Sequence, residues 1–450
     1  MKASMVFTCL AAGLVAGGAF GWTEADCVAG RTDKEIPNYA AGETMTFTVE
    51  LRGFEGADKA NWKLAWERTA DDGRKESGAA PADVPFVYRT SLDRPGFVRL
   101  CGRLLDGSGK PVKHDNGRGQ DVPVIYDLGA GVEILKIRPG VPEPKDFDAV
   151  WAKHKANLAS VAWKDGVQLK EIASPTDGVK LYEFSVPCYG GKPATGHLAV
   201  PADASKTYPA AAKFFGYNES WTYKRAILPP EKLAKGWLYM YVSAHGFEMG
   251  RDEAFYKAER EKVKSNGFGH GFDPAQNADP ETTYYAGMTY RLMRALEYLK
   301  SRPEWNGRDL TVTGGSQGGL QSVWAAALVP GVSEARVSIP WNCDIGGTEV
   351  GRNRGTWFVQ WAPGLGYYDN CNMAPRVPKS CTMRVTMAGL GDYICPPTGV
   401  MAFYNRLTCP KSIAFIQNAQ HGNRLQSEPM QKFQIVGADD IRLLDGKKAK

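Results

Sequence analysis

In the segment DLTVTGGSQGGLQSVWAAAL, residues 309–328, a serine stands between two glycines as Gly314-x-Ser316-x-Gly318. A serine hydroxyl attacks a carbonyl only when a base takes its proton and a third group orients that base. The spacing is that of a sharp strand-to-helix turn, where flanking side chains would collide with the neighbouring strand and helix. Three fixed positions in a chain with 50 glycines are weak by themselves, so the surroundings must decide. Residues 310–313 form a β-branched-rich run that predicts a strand, and a helix is predicted directly after Gly319. The helix N-terminus beneath Ser316 favours negative charge there.

In hydrolases built on this turn the chain order is serine, acid, histidine. Only one histidine follows Ser316, namely His421 in QNAQHGN, so the base is fixed if the scheme holds. Asp344, Asp369 and Asp392 lie between them. Asp392, in AGLGD, ends the strand before the one leading to His421, and open α/β sheets place functional groups at such carboxyl ends. Asp392 is therefore the expected acid, with Asp344 in WNCDIGG as the fallback. Two backbone N–H groups should hold the oxyanion, one from Gln317 after the nucleophile and one from Tyr217 in KFFGYNES, after an earlier strand.

The elements that must position these groups fall into two parts. Residues 22–137 read as an all-β domain: TMTFTVEL and NWKLAWERT alternate with period two, Asp72-Gly73 supplies a hairpin turn, and PFVYRTSL, GFVRLCGRLLD and VPVIYDL follow. Short strands at this spacing predict a small immunoglobulin-like sandwich. A proline-rich linker at 138–145 leads to residues 138–450, where strands alternate with helices. YPAAAKFFGYN, WLYMYVSAHG, LTVTGGS, ARVSIPW, MRVTMAGLGD and KSIAFIQNAQHG are the strands. TYYAGMTYRLMRALEYLKS carries Tyr285, Met288, Leu292, Leu296 and Leu299 on one helical face. The fold class is α/β: an α/β-hydrolase with a mostly parallel sheet, preceded by the small sandwich.

Composition narrows the class further. The net charge of +6 is spread thinly, and the one dense basic run is the tail DGKKAK, so no nucleic-acid partner is expected. Residues 1–21 read as a cleaved signal peptide, with Lys2, an apolar run over residues 5–16, and Ala19-Phe20-Gly21 as the small-x-small site. The expected location is secreted or periplasmic, and no later segment is apolar enough to span a membrane. Export permits disulfides among the remaining cysteines, and Cys381 and Cys409, each just before a predicted strand, are placed to face each other. C-x-x-C spacing is absent, so no zinc site is expected.

Several of these motifs together resemble the acetyl xylan esterase and cephalosporin C deacetylase group of carbohydrate esterases, over residues 144–443. PEPKDFDAVWAKHKANL is similar to the family's leading helix. FFGYN is similar to its oxyanion loop, with Phe215 where the family has histidine. VTGGSQGG matches its nucleophile motif, GLGDYICPPTGVMAFYN its acid motif, and QHG its histidine. IPWNCD is similar to a family segment that makes Asp344 structural. The resemblance implies that Ser316, His421 and Asp392 cleave acetyl esters of carbohydrates through an acetyl-enzyme, without metal or cofactor, and sets no oligomeric state. The stretch 346–378 is expected to cap the site, its Trp357, Trp361 and Tyr367 either stacking on sugars or forming the cap's own core.

Two other readings compete. A secreted serine peptidase of the prolyl oligopeptidase type uses a related turn but carries a propeller, for which some 110 residues of β structure are too few. A non-catalytic carbohydrate-binding surface protein would need no intact triad.

Overall fold

Where apolar and polar residues alternate, the chain folds as strands with one face inward. In MTFTVELR, Met45, Phe47 and Val49 are fully buried and the residues between them are not. The computed structural model describes residues 22–217, 228–427 and 429–444. The signal peptide expected at 1–21 and the basic tail lie outside the described residues.

The N-terminal part contains β1 (Cys27–Thr32), β2 (Asn38–Tyr39), β3 (Met45–Arg52), β4 (Lys63–Ala70), β5 (Lys75–Pro81) and β6 (Phe86–Thr90). It continues with β7 (Gly96–Leu105), β8 (Lys113–Asp115), β9 (Asp121–Pro123) and β10 (Ile125–Val132). Sheet β1-β3-β6 faces sheet β2-β10-β7-β4-β5 across a core of Phe47, Val49, Leu64, Leu100, Tyr126 and Leu128. Asp72-Gly73 turns β4 into β5, with Gly73 at φ 74°. Strand β7 is buried on both faces, because the other side of its sheet lies against the rest of the molecule.

The second part is one sheet of eleven strands: β11 (Gln168–Ile172), β12 (Val179–Val186), β13 (Ala194–Pro201), β14 (Tyr208–Phe214), β15 (Leu238–Val242), β16 (Trp305–Gly315), β17 (Glu334–Ser338), β18 (Thr382–Gly389), β19 (Lys411–Ile416), β20 (Lys432–Val436) and β21 (Asp440–Leu443). Their order is β11-β12-β13-β15-β14-β16-β17-β18-β19-β20-β21. The expected mostly parallel sheet is corrected to a mixed one. The six strands from β15 to β19 pair in parallel, whereas β11-β12-β13-β15 and β19-β20-β21 pair antiparallel. The links β11–β12, β12–β13 and β20–β21 are too short for the helix that a parallel crossover needs. Packed against this sheet, helix Tyr284–Ser301 buries Tyr285, Met288, Leu292, Leu296 and Leu299, and helix Gln317–Leu328 lies against β14, β16 and β17. No helix among the described residues is long and apolar enough to cross a membrane.

The two parts are joined by specific polar contacts. Gln417 donates to the Gly129 carbonyl and accepts from its N–H, at 2.8 and 2.9 Å. Asn418 accepts from Asp127 N–H and donates to Val28 O, each at 2.9 Å. Thr398 donates to the buried Asp71 carboxylate at 2.5 Å. The proline-rich linker is pinned as well: Gly140 N–H donates to Asp344, and Glu143 pairs with Arg376 and Arg406. Cys381 and Cys409 do stand before adjacent strands, but the disulfide expected between them is not formed. All eight described cysteines are free thiols, and burial raises the Cys381 thiol to about 12.

Candidate active site

Ser316 sits between β16 and helix Gln317–Leu328 at φ 57°, ψ −121°, a conformation a residue with a Cβ rarely adopts. Strain of this kind persists only where the surroundings over-determine it. Here Ser316 N–H donates to Ser338 O at 3.1 Å, and Ser316 O accepts from Leu320 and Trp341. A Cβ at Gly314 would come within 2.4 Å of the Gly318 backbone, and one at Gly318 within 2.3 Å of Phe214 O on β14. Backbone has no free end to swing aside, so both positions exclude side chains, as the spacing predicted.

At the same rim, two and three strands along from β16, β18 and β19 lead to Asp392 and His421, the expected acid and base. His421 Nδ1–H donates to Asp392 Oδ2 at 3.0 Å, which leaves Nε2 as the basic nitrogen. Asp392 is buried, and its other oxygen accepts from the Ile394 and Cys395 N–H groups at 3.0 and 2.9 Å. The carboxylate is thus fixed before it orients the imidazole. The remaining candidates have other work. Asp344 accepts from Gly140 N–H and pairs with Arg352, while Asp369 accepts from the N–H groups of Asp344, Ile345 and Cys371. Burial lifts the Asp369 carboxyl to about 6. Among the described residues the Ser316 hydroxyl and His421 Nε2 hydrogen-bond neither each other nor another group, and contacts of this kind tighten when substrate binds.

Asp392, Cys395 and His421 place a carboxylate, a thiol and an imidazole within 4.8 Å of one another. The carboxylate is already engaged on both oxygens, and burial holds the Cys395 thiol well above its ordinary range. That donor set favours proton transfer over metal ligation.

The expected oxyanion donors stand on the other side of Ser316. A Cβ on Gly216 would lie 3.9 Å from the Ser316 Cβ, so the Gly216–Tyr217 backbone passes alongside Ser316. Gln317 opens the helix. Sequence reasoning missed the group that ties these two residues together, His270. Its ring stacks on Tyr217 at 3.9 Å and 6°, and its Nε2–H donates to Gln317 Oε1 at 2.9 Å. Burial lowers its imidazole to about 4, so it works as a neutral donor. His270 stands in GFGHGF before the nucleophile, where the serine–acid–histidine order gives no reason to look. Phe215, which replaces the resembled family's histidine, turns into the core and stacks on Tyr241 at 5.3 Å.

The cap aromatics divide. Trp361 is packed against the core, and Tyr367 stacks on Phe147 at 6.0 Å and donates to Asp146. Trp357 is 49% exposed and meets the edge of Tyr217 at 5.1 Å. A second missed set stands behind the base: Gln420, next to His421, donates to Asp127 Oδ2 at 2.8 Å, and Asp127 takes a bidentate pair of bonds from Arg99. Burial lifts the Asp127 carboxyl against the pull of that guanidinium.

The chain is similar to known proteins in sequence and in fold. The family model described as acetyl xylan esterase (AXE1) matches residues 126–348 and 359–436. An acetyl esterase, Axe7A, from Xylanibacter ruminicola is 30% identical over 336 residues, covering 71% of this chain and 70% of that protein. The fold is similar to that of an acetyl xylan esterase from Paenibacillus sp. R4, at 23% identity and TM-score 0.51, over 65% of this chain and 94% of that one. It is also similar to acetyl xylan esterase 1 from Thermoanaerobacterium sp. JW/SL YS485, at 22% identity and TM-score 0.53, over 66% and 93%. With two thirds of its length matched by the family model, the chain belongs to the acetyl xylan esterase family and is a carboxylic ester hydrolase.

Proposed function

We propose that this protein is an exported serine acetyl esterase that deacetylates sugars or polysaccharides of the xylan type. The observation that carries the reading is the 3.0 Å Asp392–His421 bond at the sheet rim where Ser316 is held at positive φ. Ser316 attacks the acetyl carbonyl while His421 Nε2 takes its proton. The N–H groups of Tyr217 and Gln317 receive the oxyanion, and the helix N-terminus beneath Ser316 adds to that stabilisation. His421 then gives the proton to the departing sugar oxygen. Water, activated by the same imidazole, releases acetate and restores the serine. Asp392 holds the tautomer and stabilises the imidazolium.

The substrate class follows the names of the relatives, which are acetyl esterases and acetyl xylan esterases. Export follows the charged, apolar and small-residue pattern of residues 1–21. The N-terminal sandwich we read as an immunoglobulin-like module; its two small sheets lack the radial blades of a propeller, so the peptidase alternative gains nothing from it. A retired, purely binding protein has no need of the fixed carboxylate and imidazole.

Para-nitrophenyl acetate tests this directly. The wild-type protein should release nitrophenol, and Ser316→Ala should not. Absence of turnover by folded wild-type protein, or full activity in Ser316→Ala, would end the esterase reading.

A further inference from the structure

We propose that the five-stranded sheet of the N-terminal sandwich forms the leaving-alcohol side of the active site, a subsite for sugar residues beyond the one that bears the acetyl group. The proposal rests on the esterase reading above and names where its substrate extends.

A cavity of about 330 Å³ lies between the two parts of the molecule, within the size range of small-ligand sites. Asp392 and His421 form one wall. The opposite wall is the outer face of β4 and β7 with the start of β5, and Asn353–Thr356 line its edge. Chemistry assigns the side. The acyl group must lie toward Tyr217 and Gln317, where its oxygen is stabilised, whereas the alcohol leaves toward the imidazole that protonates it. A cavity with His421 in its wall is therefore on the alcohol side.

The facing wall suits a hydroxyl-rich ligand. Side chains alternate along a strand, and Ala65 pairs with Arg103 while Glu67 pairs with Cys101, so these four share the face that looks onto the hydrolase. Lys75, opposite Thr69, adds a cation at the rim. Glu67 accepts and Lys75 donates, which is what sugar hydroxyls require, and small Ala65 leaves room between them. Arg99 is excluded from this role because its guanidinium is bound to Asp127 and lies over the Tyr393 ring at 4.4 Å.

An independent observation points the same way. The family match begins at residue 126 and skips 349–358. The β4, β5 and β7 wall, and the Asn353–Thr356 edge, fall in those unmatched stretches. Asp392 and His421 lie within the matched residues, and the far wall lies outside them. Asn353 donates to Thr69 at 2.7 Å and so joins the two unmatched stretches, while Trp357, next to Thr356, reaches the expected oxyanion loop.

The test compares kcat/KM for acetylated xylotriose, acetylated xylose and para-nitrophenyl acetate in wild-type protein, Glu67→Gln and Lys75→Ala, with thermal melts to show that each variant is folded. Wild-type protein should prefer the trisaccharide ester to the monosaccharide ester. Each substitution should lower the ratio of trisaccharide to aryl-ester kcat/KM by about tenfold, mainly through KM. Equal wild-type kcat/KM for the two sugar esters, or a ratio moved by neither substitution, would overturn the subsite alone. Wild-type protein that hydrolyses none of the three esters would overturn the esterase reading, and the subsite with it.

Discussion

The two halves of the active site are held by different means. Around Ser316 and the oxyanion loop, position is set inside the hydrolase sheet by backbone meeting backbone: Gly314 against Gly318, Gly318 against Phe214, Gly216 beside Ser316. Around His421, position is set from outside that sheet. Gln417, Asn418 and Gln420 all reach β10 of the sandwich, and the last meets a buried Arg99–Asp127 pair. The nucleophile half is a property of one fold. The Asp392–His421 half also rests on contacts between the two parts, so under the proposed mechanism the N-terminal sheets help to hold the base.

That contrast can be broken from either side. The largest effect is expected from Ser316→Ala, which should cost at least about four orders of magnitude in kcat on para-nitrophenyl acetate while the melt stays cooperative. Asp127→Ala comes next. It leaves the Arg99 guanidinium buried without its partner, and losing one member of such a pair costs about 3–5 kcal/mol of stability by denaturant titration. The double variant Arg99→Met with Asp127→Leu should recover much of that loss but leave Gln420 without its carboxylate, so stability returns further than kcat does.

His270 should show itself in the pH dependence of stability. Its folded value of about 4 lies below the ordinary 6.5, so between these values the unfolded chain takes up a proton that the folded protein refuses. Stability therefore falls as pH drops through that window, by up to about 3 kcal/mol from this group, and is indifferent to it above 6.5. His270→Gln keeps a donor toward Gln317 and should flatten that slope in denaturant melts between pH 7 and 4. Gly318→Ala is expected to have the smallest effect on stability, about 1–3 kcal/mol by overpacking against Phe214, with a fall in kcat because the displaced turn carries Ser316.

Legibility in the sequence followed the same division. The turn around Ser316 could be read because a local rule sets it: glycines at fixed offsets between a strand and a helix. Asp392 and His421 stood out because chain order and strand ends constrain them, and the structure joins them by a 3.0 Å bond. The outer strand pairings could not. Parallel strands announce themselves by helical crossovers, whereas edge strands such as β5, whose residues are nearly all exposed, carry no apolar alternation to count. His270, Asp127 and Gln420 were silent because their roles lie in contacts across 47, 28 and 293 residues of chain. No periodicity records separations of that kind.

The central claim is that Ser316 is a nucleophile activated by His421, and covalent trapping tests it most directly. A serine-directed fluorophosphonate added to wild-type protein, followed by peptide mass mapping, should modify Ser316, and labelling should be nearly lost in His421→Ala. Modification at another serine, or undiminished labelling of Ser316 without the imidazole, would contradict the account.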